Sequence, residues 1–256
     1  MLDVDRNTLG WPQVMQGAAV RGVDADDLRV GGFVPFTTTD YPGALAAVVF
    51  CQGCPWRCGY CHNPHLLPAR SLDEIAWPSV LARLALRRGL LDAVVFSGGE
   101  PTAQAVLSDA MRAVRDLGFA VGLHTGGAYP RRLEQVLPLV DWVGFDVKSA
   151  AGTYAVVTRV RGSGHAARVS LDLLQDAGVP FEIRTTVHCA LTPRESLRQV
   201  AQELGERGIT RWVLQPFRQT GCTSAALSVG VSPDAHIDAA LLAQLRCFVP
   251  DTIVRN

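Results

Sequence analysis

The chain has 256 residues, 48% of them hydrophobic, with 24 basic and 24 acidic side chains. That length suits one large α/β domain or two small ones, and a core of that size needs no disulfides for stability. The balanced charge gives no reason to expect a nucleic-acid or membrane-surface partner.

The N-terminus and the apolar content predict a cytoplasmic protein. Asp3, Asp5 and Arg6 precede any apolar run, which is not the pattern of a secretory signal. No apolar stretch approaches the roughly 20 residues that a membrane helix needs. Residues 1–27 show no sustained periodicity, so we expect an N-terminal extension there and a single domain over 28–256.

From residue 28 onward the sequence alternates between apolar, strand-like runs and amphipathic, helical runs. The apolar runs predict strands at 45–50, 91–96, 119–123, 142–148, 181–188 and 212–215. The helical runs predict helices from Ser71, from Val106 to a stop at Gly118, at 132–139, at 165–177, from Thr192, and at 234–247. Ser71 and Glu74 have capping-box spacing, and Pro78 should interrupt the helix that they begin.

Alternating strands and helices imply parallel strands joined by right-handed crossovers. The number of units is smaller than the eight of a closed barrel. We therefore predict an α/β fold, a partial (β/α)6 barrel of parallel strands, although a doubly wound sheet would give the same pattern. In both architectures ligands bind at the carboxyl ends of the strands, where this chain carries its polar and glycine-rich motifs.

A dense group of cysteines follows the first predicted strand: Cys51, Cys54, Cys58 and Cys61. In a reducing compartment such a group indicates metal binding or catalysis before disulfides, and reduced structural cysteines are improbable at this density. Two C-x2-C pairs could hold structural zinc, although such sites usually have a longer connection between the pairs. The spacing of Cys54, Cys58 and Cys61 instead suits a [4Fe–4S] cluster with one open iron, which Cys51 could close as a fourth ligand.

Two further motifs follow later strands. Gly98, Gly99 and Glu100 follow the second strand, and on local grounds a Gly-Gly pair there could be an ordinary strand-to-helix turn. Asp146 and Lys148 end the fourth strand and, being two residues apart, share a face. By local reasoning this second pair could equally be a solvated salt bridge.

The cysteine motif resembles the signature of the radical S-adenosylmethionine superfamily, C-x3-C-x-aromatic-C, in which Tyr60 supplies the aromatic. The resemblance runs from about residue 31 to 215. It implies one [4Fe–4S] cluster on Cys54, Cys58 and Cys61, S-adenosylmethionine as cofactor, and no separate catalytic acid or base. The cofactor contacts that it implies are Tyr60, Gly98, Gly99, Glu100, Thr125, Asp146, Lys148, Arg184 and His188.

Residues 50–64 resemble more specifically the activases of pyruvate formate-lyase and of anaerobic ribonucleoside-triphosphate reductase, and residues 37–43 and 181–187 are most similar to the reductase-activating branch. This resemblance implies that S-adenosylmethionine is reductively cleaved to a 5′-deoxyadenosyl radical. The radical then removes a hydrogen from a glycine of a partner glycyl radical enzyme, which the branch indicates is the reductase. A flavodoxin or ferredoxin is implied as the reductant.

Other functions also fit the sequence. Activases of this kind often carry Asp-Thr-Asn-Gly after the third strand, whereas this chain has His-Thr-Gly-Gly, and His124 puts a cation site beside the cofactor in doubt. A compact enzyme similar to 7-carboxy-7-deazaguanine synthase would need a dedicated polar pocket, whereas an activase needs an open groove for a peptide loop. A non-catalytic zinc or electron-transfer protein is a third alternative. We expect Cys189, Cys222 and Cys247 to be buried structural residues.

Overall fold

The computed structural model describes residues 27–224, 227 and 237–255. Strands in these ranges form a single sheet in the sequence order β1 to β8; β1 is antiparallel to β2, and every later neighbour is parallel. The strands are β1 Val30–Thr37, β2 Ala46–Cys51, β3 Ala93–Gly98, β4 Ala120–Thr125, β5 Trp142–Asp146, β6 Phe181–Val187, β7 Arg211–Pro216 and β8 Asp251–Val254. The sheet is not closed, so the predicted partial barrel is confirmed.

Helices connect the parallel strands. Those in the described ranges are α1 Trp77–Ala85, α2 Leu107–Asp116, α3 Pro130–Val136, α4 Tyr154–Thr158, α5 Ser163–Asp176, α6 Arg194–Glu206 and α7 Ala239–Arg246. None of these described helices is long and apolar enough to cross a membrane. The start of the predicted helix 234–247 and the predicted extension 1–27, except Asp27, lie outside the described residues.

The edge strands β1 and β8 were not predicted, whereas the six predicted strands correspond to β2–β7. Gly31, Gly32 and Pro35 lie in β1 and conceal its strand character, since these residues are rare inside strands. Strand β8 has only four residues and follows α7 closely. Both edge strands depend on pairing with distant neighbours and not on local pattern.

The helix predicted from Ser71 is wrong. The expected local bond does form, since the Ser71 amide donates to Glu74 Oε1 at 2.7 Å. However, the Ile75 amide donates to the Val30 carbonyl at 2.8 Å, which holds this segment beside β1. Helix α1 begins only at Trp77, and Pro78 occupies its first turn. Proline is tolerated there because a backbone N–H in the first turn has no acceptor within the helix.

The core lies mainly between the outer face of the sheet and the helices. Helix α2 shows why: Leu107, Ala110, Met111 and Val114 recur at helical spacing and are all buried. The inner face near the start of the strands is filled by small apolar side chains, and it becomes polar towards their carboxyl ends. The prediction that Cys189, Cys222 and Cys247 are buried is wrong: Cys247, which follows α7, is exposed, and Cys189 and Cys222 are only partly buried.

Candidate active site at the carboxyl ends of the strands

A cavity of about 200 Å³ lies where β2 to β6 end. It is lined by the three predicted cluster cysteines and by all but one of the predicted cofactor residues, namely Tyr60, Gly98, Gly99, Glu100, Thr125, Asp146, Lys148 and Arg184. The parallel order of the strands explains this, because their carboxyl ends all reach the same rim.

His188 is the predicted site residue that the structure does not bring to the cavity wall. It follows the end of β6, and its Nε2 lies 3.2 Å from the Leu227 carbonyl. Its ring packs edge-on against Phe217, with centroids 5.1 Å apart. Thr186, which shares the inner face of β6 with Arg184, lines the cavity instead.

The cysteines divide into two groups. Cys51 is the last residue of β2 and is fully buried in the hydrophobic core, where burial raises the pKa of its thiol. Cys54, Cys58 and Cys61 lie on the following loop and line the cavity. Burial, with a smaller contribution from Glu100, raises the pKa of Cys54 to about 12, so a metal must displace its proton on binding.

The donor set favours a cluster over a single metal ion. In the part of the chain that the structure describes, no group of three His, Cys, Asp or Glu side chains could hold a metal ion. Structural zinc needs four ligands around one centre, with thiolates about 2.3 Å from the ion. Three thiols along one cavity wall fit a [4Fe–4S] cubane, which takes each thiolate on a different iron.

Gly98 and Gly99 allow the end of β3 to approach the cysteine loop. Gly98 has φ +114°, and a Cβ there would lie 2.4 Å from the Cys51 amide nitrogen. A Cβ on Gly99 would lie 2.4 Å from the Gly53 carbonyl oxygen. The resemblance implies that these glycines let the backbone approach the amino group of the cofactor, and the structure gives them a packing role as well.

We expect Gly98→Ala to lower the free energy of unfolding by about 2–4 kcal/mol, because its Cβ meets backbone atoms and its φ is unfavourable for other residues. Gly89→Ala is the matched control: Gly89 has φ +77° with nothing near its Cβ position, so the cost should be only about 1 kcal/mol. Denaturant unfolding measures both. Equal losses in the two variants would contradict the close approach.

Glu100 is 2% exposed and joins the ends of β3 and β4. Its Oε1 accepts hydrogen bonds from the Thr102 amide, the Thr102 hydroxyl at 2.6 Å and the Thr125 hydroxyl at 2.7 Å. Its Oε2 accepts from the Gly126 amide at 3.0 Å. The carboxylate is therefore held rigidly by the protein, and the single bond to Oε2 leaves that oxygen able to accept from a ligand.

Asp146 lies between two cations. Its Oδ2 is 3.2 Å from Lys148 Nζ and its Oδ1 is 3.1 Å from Arg184 Nε. Burial opposes its charged form, but Lys148 and Arg184 outweigh this effect and lower the pKa of Asp146 to about 2. Burial also disfavours charged Lys148, yet Asp146 raises its pKa well above the usual value. Asp146 and Lys148 are therefore both ionised at neutral pH.

We expect Asp146→Asn to lower the free energy of unfolding by about 1–3 kcal/mol and to weaken S-adenosylmethionine binding, since it leaves Lys148 and Arg184 without a counter-charge. The side chain of Asp146 is 35% exposed, so the loss should be smaller than for a fully buried pair. Calorimetry and denaturant unfolding provide the measurements. Asp109→Asn, which breaks an exposed pair with Arg112, should cost about 0.5 kcal/mol or less; a similar loss in both would refute the charge arrangement.

His124 connects Arg184 to the segment after β1. Its Nε2 lies 2.8 Å from the Asp40 carbonyl and 3.2 Å from Arg184 Nη1. Burial and the charge on Arg184 lower the pKa of His124 to about 3, so the ring is neutral. Because a neutral ring nitrogen either donates or accepts, Nε2 can satisfy only one of these two neighbours at a time.

Aromatic side chains close the cavity. Tyr60 is buried, and its hydroxyl has no hydrogen-bond partner among the described residues. Lys148 Nζ lies 5.9 Å from its ring centroid. Trp56 was not predicted as a site residue, yet it lines the cavity and lies so close to Gly126 that a Cβ there would be 2.4 Å from its ring. Its position between two cluster cysteines was the available sequence signal.

A groove of about 450 Å³ adjoins the cavity. The groove and the cavity share three lining residues, His62, Arg184 and Thr186. The groove's other lining residues are Thr39, Asp40, Gln215, Pro216, Arg218 and Arg255. A second molecule in this groove would therefore lie directly beside a ligand in the cavity.

Comparison with protein families agrees with this site. The family model described as the radical SAM superfamily matches residues 48–204, which include the cysteine loop, the glycine motif and the Asp146 and Arg184 positions. The chain belongs to the radical SAM superfamily. It is therefore an enzyme, and the cofactors of this family, a [4Fe–4S] cluster and S-adenosylmethionine, are those that the three thiols and the adjoining cavity fit.

Relatives confirm the predicted activase branch. A Methanocaldococcus jannaschii protein named as a glycyl-radical enzyme activating enzyme is 32% identical, over 68% of this chain and 74% of its own length. A pyruvate formate-lyase-activating enzyme of Clostridium pasteurianum is 29% identical, over 75% and 83%. A PqqA peptide cyclase of Methylobacterium nodulans is 45% identical, but over only 53% of this chain and 37% of its own length.

The fold is shared with a protein of solved structure. SuiB of Streptococcus suis, bound to its precursor peptide SuiA, superposes with a TM-score of 0.60 at 14% identity, over 82% of this chain and 48% of that one. At this level of identity the likeness shows the fold alone.

Proposed function

We propose that this radical SAM enzyme is an activase that generates a glycyl radical on a partner enzyme, an anaerobic ribonucleoside-triphosphate reductase. Cys54, Cys58 and Cys61 hold the cluster in this proposal. A flavodoxin or ferredoxin supplies the electron. With both cofactors bound, the site provides a 5′-deoxyadenosyl radical, which takes a hydrogen atom from the α-carbon of the partner's glycine and leaves 5′-deoxyadenosine.

One observation carries the proposal: the three thiols and the polar strand ends line one cavity, and that cavity opens into a groove. The thiol wall suits the cluster and the polar wall suits the zwitterionic methionine end of the cofactor. The groove gives a flexible peptide segment access to the same place.

In this proposal the side chains of the enzyme bind and orient the cofactor. Nη1 of Arg184 has no carboxylate partner among the described residues. This nitrogen can therefore donate a hydrogen bond to the carboxylate of the cofactor. Glu100 Oε2 has one protein donor, the Gly126 amide, and would accept a hydrogen bond from the cofactor ammonium. Trp56 and Tyr60, both buried, exclude water from the reacting atoms. No residue is required to move a proton.

The groove supports the choice of partner. Residues 37–43 and 181–187 are the segments most similar to the reductase-activating branch, and they are far apart in sequence. Both contribute to the groove, through Thr39 and Asp40 from the first segment and Arg184 and Thr186 from the second. The segments that resemble that branch therefore meet where the partner's glycine loop would bind.

The test begins with anaerobic iron and sulfide reconstitution and electron paramagnetic resonance of the dithionite-reduced enzyme. We expect a reduced [4Fe–4S] signal that changes when S-adenosylmethionine is added, followed by 5′-deoxyadenosine. Adding anaerobic ribonucleoside-triphosphate reductase should then yield a glycyl radical signal on that protein. A cluster signal that ignores the cofactor would refute the whole proposal.

The same experiment separates the alternatives. If 5′-deoxyadenosine forms but the reductase gains no radical, while pyruvate formate-lyase does, the partner assignment is wrong and the activase function stands. If the enzyme instead modifies a PqqA-type peptide, its activity is that of the peptide cyclase to which it is similar. Turnover of a deazapurine precursor without any protein partner would establish the small-molecule enzyme.

A further inference from the structure

The sequence around the cysteine loop has an uneven charge distribution. Residues 41–72 contain no Asp or Glu, and neither do residues 147–171 or 207–233, although the whole chain has equal numbers of acidic and basic side chains. The first of these segments carries the cysteine loop. The second follows β5, and the third includes β7 and the residues on either side of it.

These three segments meet at the cysteine loop. The Arg57 amide donates to the Thr158 carbonyl at 2.9 Å, and the Gly59 amide donates to the Val157 carbonyl at 3.2 Å. From the third segment, the Arg218 carbonyl lies 2.8 Å from Nε2 of His62. The described parts of the acid-free segments therefore meet around the loop.

That surface presents four exposed arginines, Arg57, Arg159, Arg161 and Arg218, which we call the basic face. None of them forms an ion pair with another described residue, and the segments that carry them contain no acidic side chain that could neutralise them locally. Unpaired, like-charged groups on one surface produce a positive potential that attracts an acidic partner.

Arg159 has an unusual backbone that positions its side chain. It follows the end of α4 with φ +57°, and among the described residues it is the only one besides glycines with a positive φ. A glycine or asparagine would adopt this conformation at lower cost. In this conformation its Nη2 lies 3.6 Å from the position of a Cβ on Gly59, between Cys58 and Cys61.

We propose that the basic face docks an acidic one-electron carrier protein, which reduces the cluster at this point. The inference rests on the proposed function only in requiring that the three cysteines hold a reducible cluster. One electron passes from the reduced flavin or iron–sulfur centre of the carrier to the oxidised cluster, with no proton or leaving group. Electron-transfer complexes are small and depend on charge steering, which suits exposed arginines directly above the cysteine loop.

The test uses the reconstituted full chain and a purified flavodoxin with an acidic surface. The variant is Arg159→Asp with Arg161→Glu, since aspartate tolerates the positive φ. We expect its Kd for flavodoxin, from calorimetry at low salt, to rise at least about tenfold, or 1.4 kcal/mol. Flavodoxin-driven formation of 5′-deoxyadenosine should fall similarly at subsaturating flavodoxin, with the dithionite-driven rate unchanged. Raising the salt concentration should increase the Kd of the wild type for flavodoxin towards that of the variant.

The control is Arg83→Glu with Arg88→Glu, two exposed arginines near the end of α1 without ion pairs in the described chain, which change the net charge equally. Its flavodoxin binding should stay close to wild type. Arg159→Gly should keep or raise the unfolding midpoint, because it relieves the backbone, and still weaken flavodoxin binding.

Three results would overturn the proposal. Equal flavodoxin binding by the variant, the control and wild type would show that the basic face is not the docking surface. A matching fall in the dithionite-driven rate would show that these arginines support the cluster loop. Unchanged flavodoxin binding with loss of radical transfer to the reductase would assign the face to that partner. Failure of the proposed function itself would be visible in the wild type, as absence of dithionite-driven cleavage.

Discussion

The Cys58→Ala enzyme should lose most of its iron and sulfide after anaerobic reconstitution, and all cleavage of S-adenosylmethionine. Cys58 lines the cavity with Cys54 and Cys61, and two thiolates hold a cubane poorly. The loss in cluster affinity should exceed the roughly 10–100-fold that removal of an outer-shell partner causes. Iron and sulfide analysis with electron paramagnetic resonance of the reduced protein measures it.

Two other cysteines serve as controls for this experiment. Cys51→Ala changes a thiol that is buried in the core at the end of β2, and Cys247→Ala changes an exposed one. Both variants should retain the iron content of the wild type and its response to the cofactor. If Cys51→Ala lost iron as completely as Cys58→Ala, then Cys51 would be a fourth ligand, and the open iron would have to be abandoned.

The Glu100→Ala enzyme should be destabilised by about 3 kcal/mol or more. The buried carboxylate accepts from two backbone amides and two hydroxyls, and each buried amide that loses its acceptor costs about 1–3 kcal/mol. The hydroxyls can turn to other acceptors, so the amides of Thr102 and Gly126 dominate the loss. Denaturant unfolding of the protein without cofactors measures it directly.

Glu100→Gln separates the structural from the binding role. The amide oxygen can keep the three Oε1 bonds, while its nitrogen faces the Gly126 amide, so we expect about 1–3 kcal/mol of destabilisation. Loss of the charge should also weaken S-adenosylmethionine binding in calorimetry. Glu134→Ala, at an exposed position of α3, should stay within about 0.5 kcal/mol of wild type. Unchanged stability in Glu100→Ala would disprove the strand-end network.

The sequence determined the parallel strands β2–β7 and the rim on which the site is built. Strands β2, β3 and β5 are apolar runs that are buried along most of their length, and β6 alternates apolar with polar residues, so these patterns are local and can be read from consecutive residues. The spacing of Cys54, Cys58 and Cys61 is likewise a local property of the chain, so the sequence alone shows it. Placement of Asp146 and Lys148 at a strand end followed from the same periodicity.

Tertiary structure decided which groups these residues meet. Glu100 accepts from Thr125, 25 residues away, and His124 reaches both Asp40 and Arg184, at separations of 84 and 60 residues. No local pattern encodes such contacts, because they depend on the twist and register of neighbouring strands. For the same reason, His188 lay on a correctly predicted strand end and still packs against residues after β7, outside the cavity.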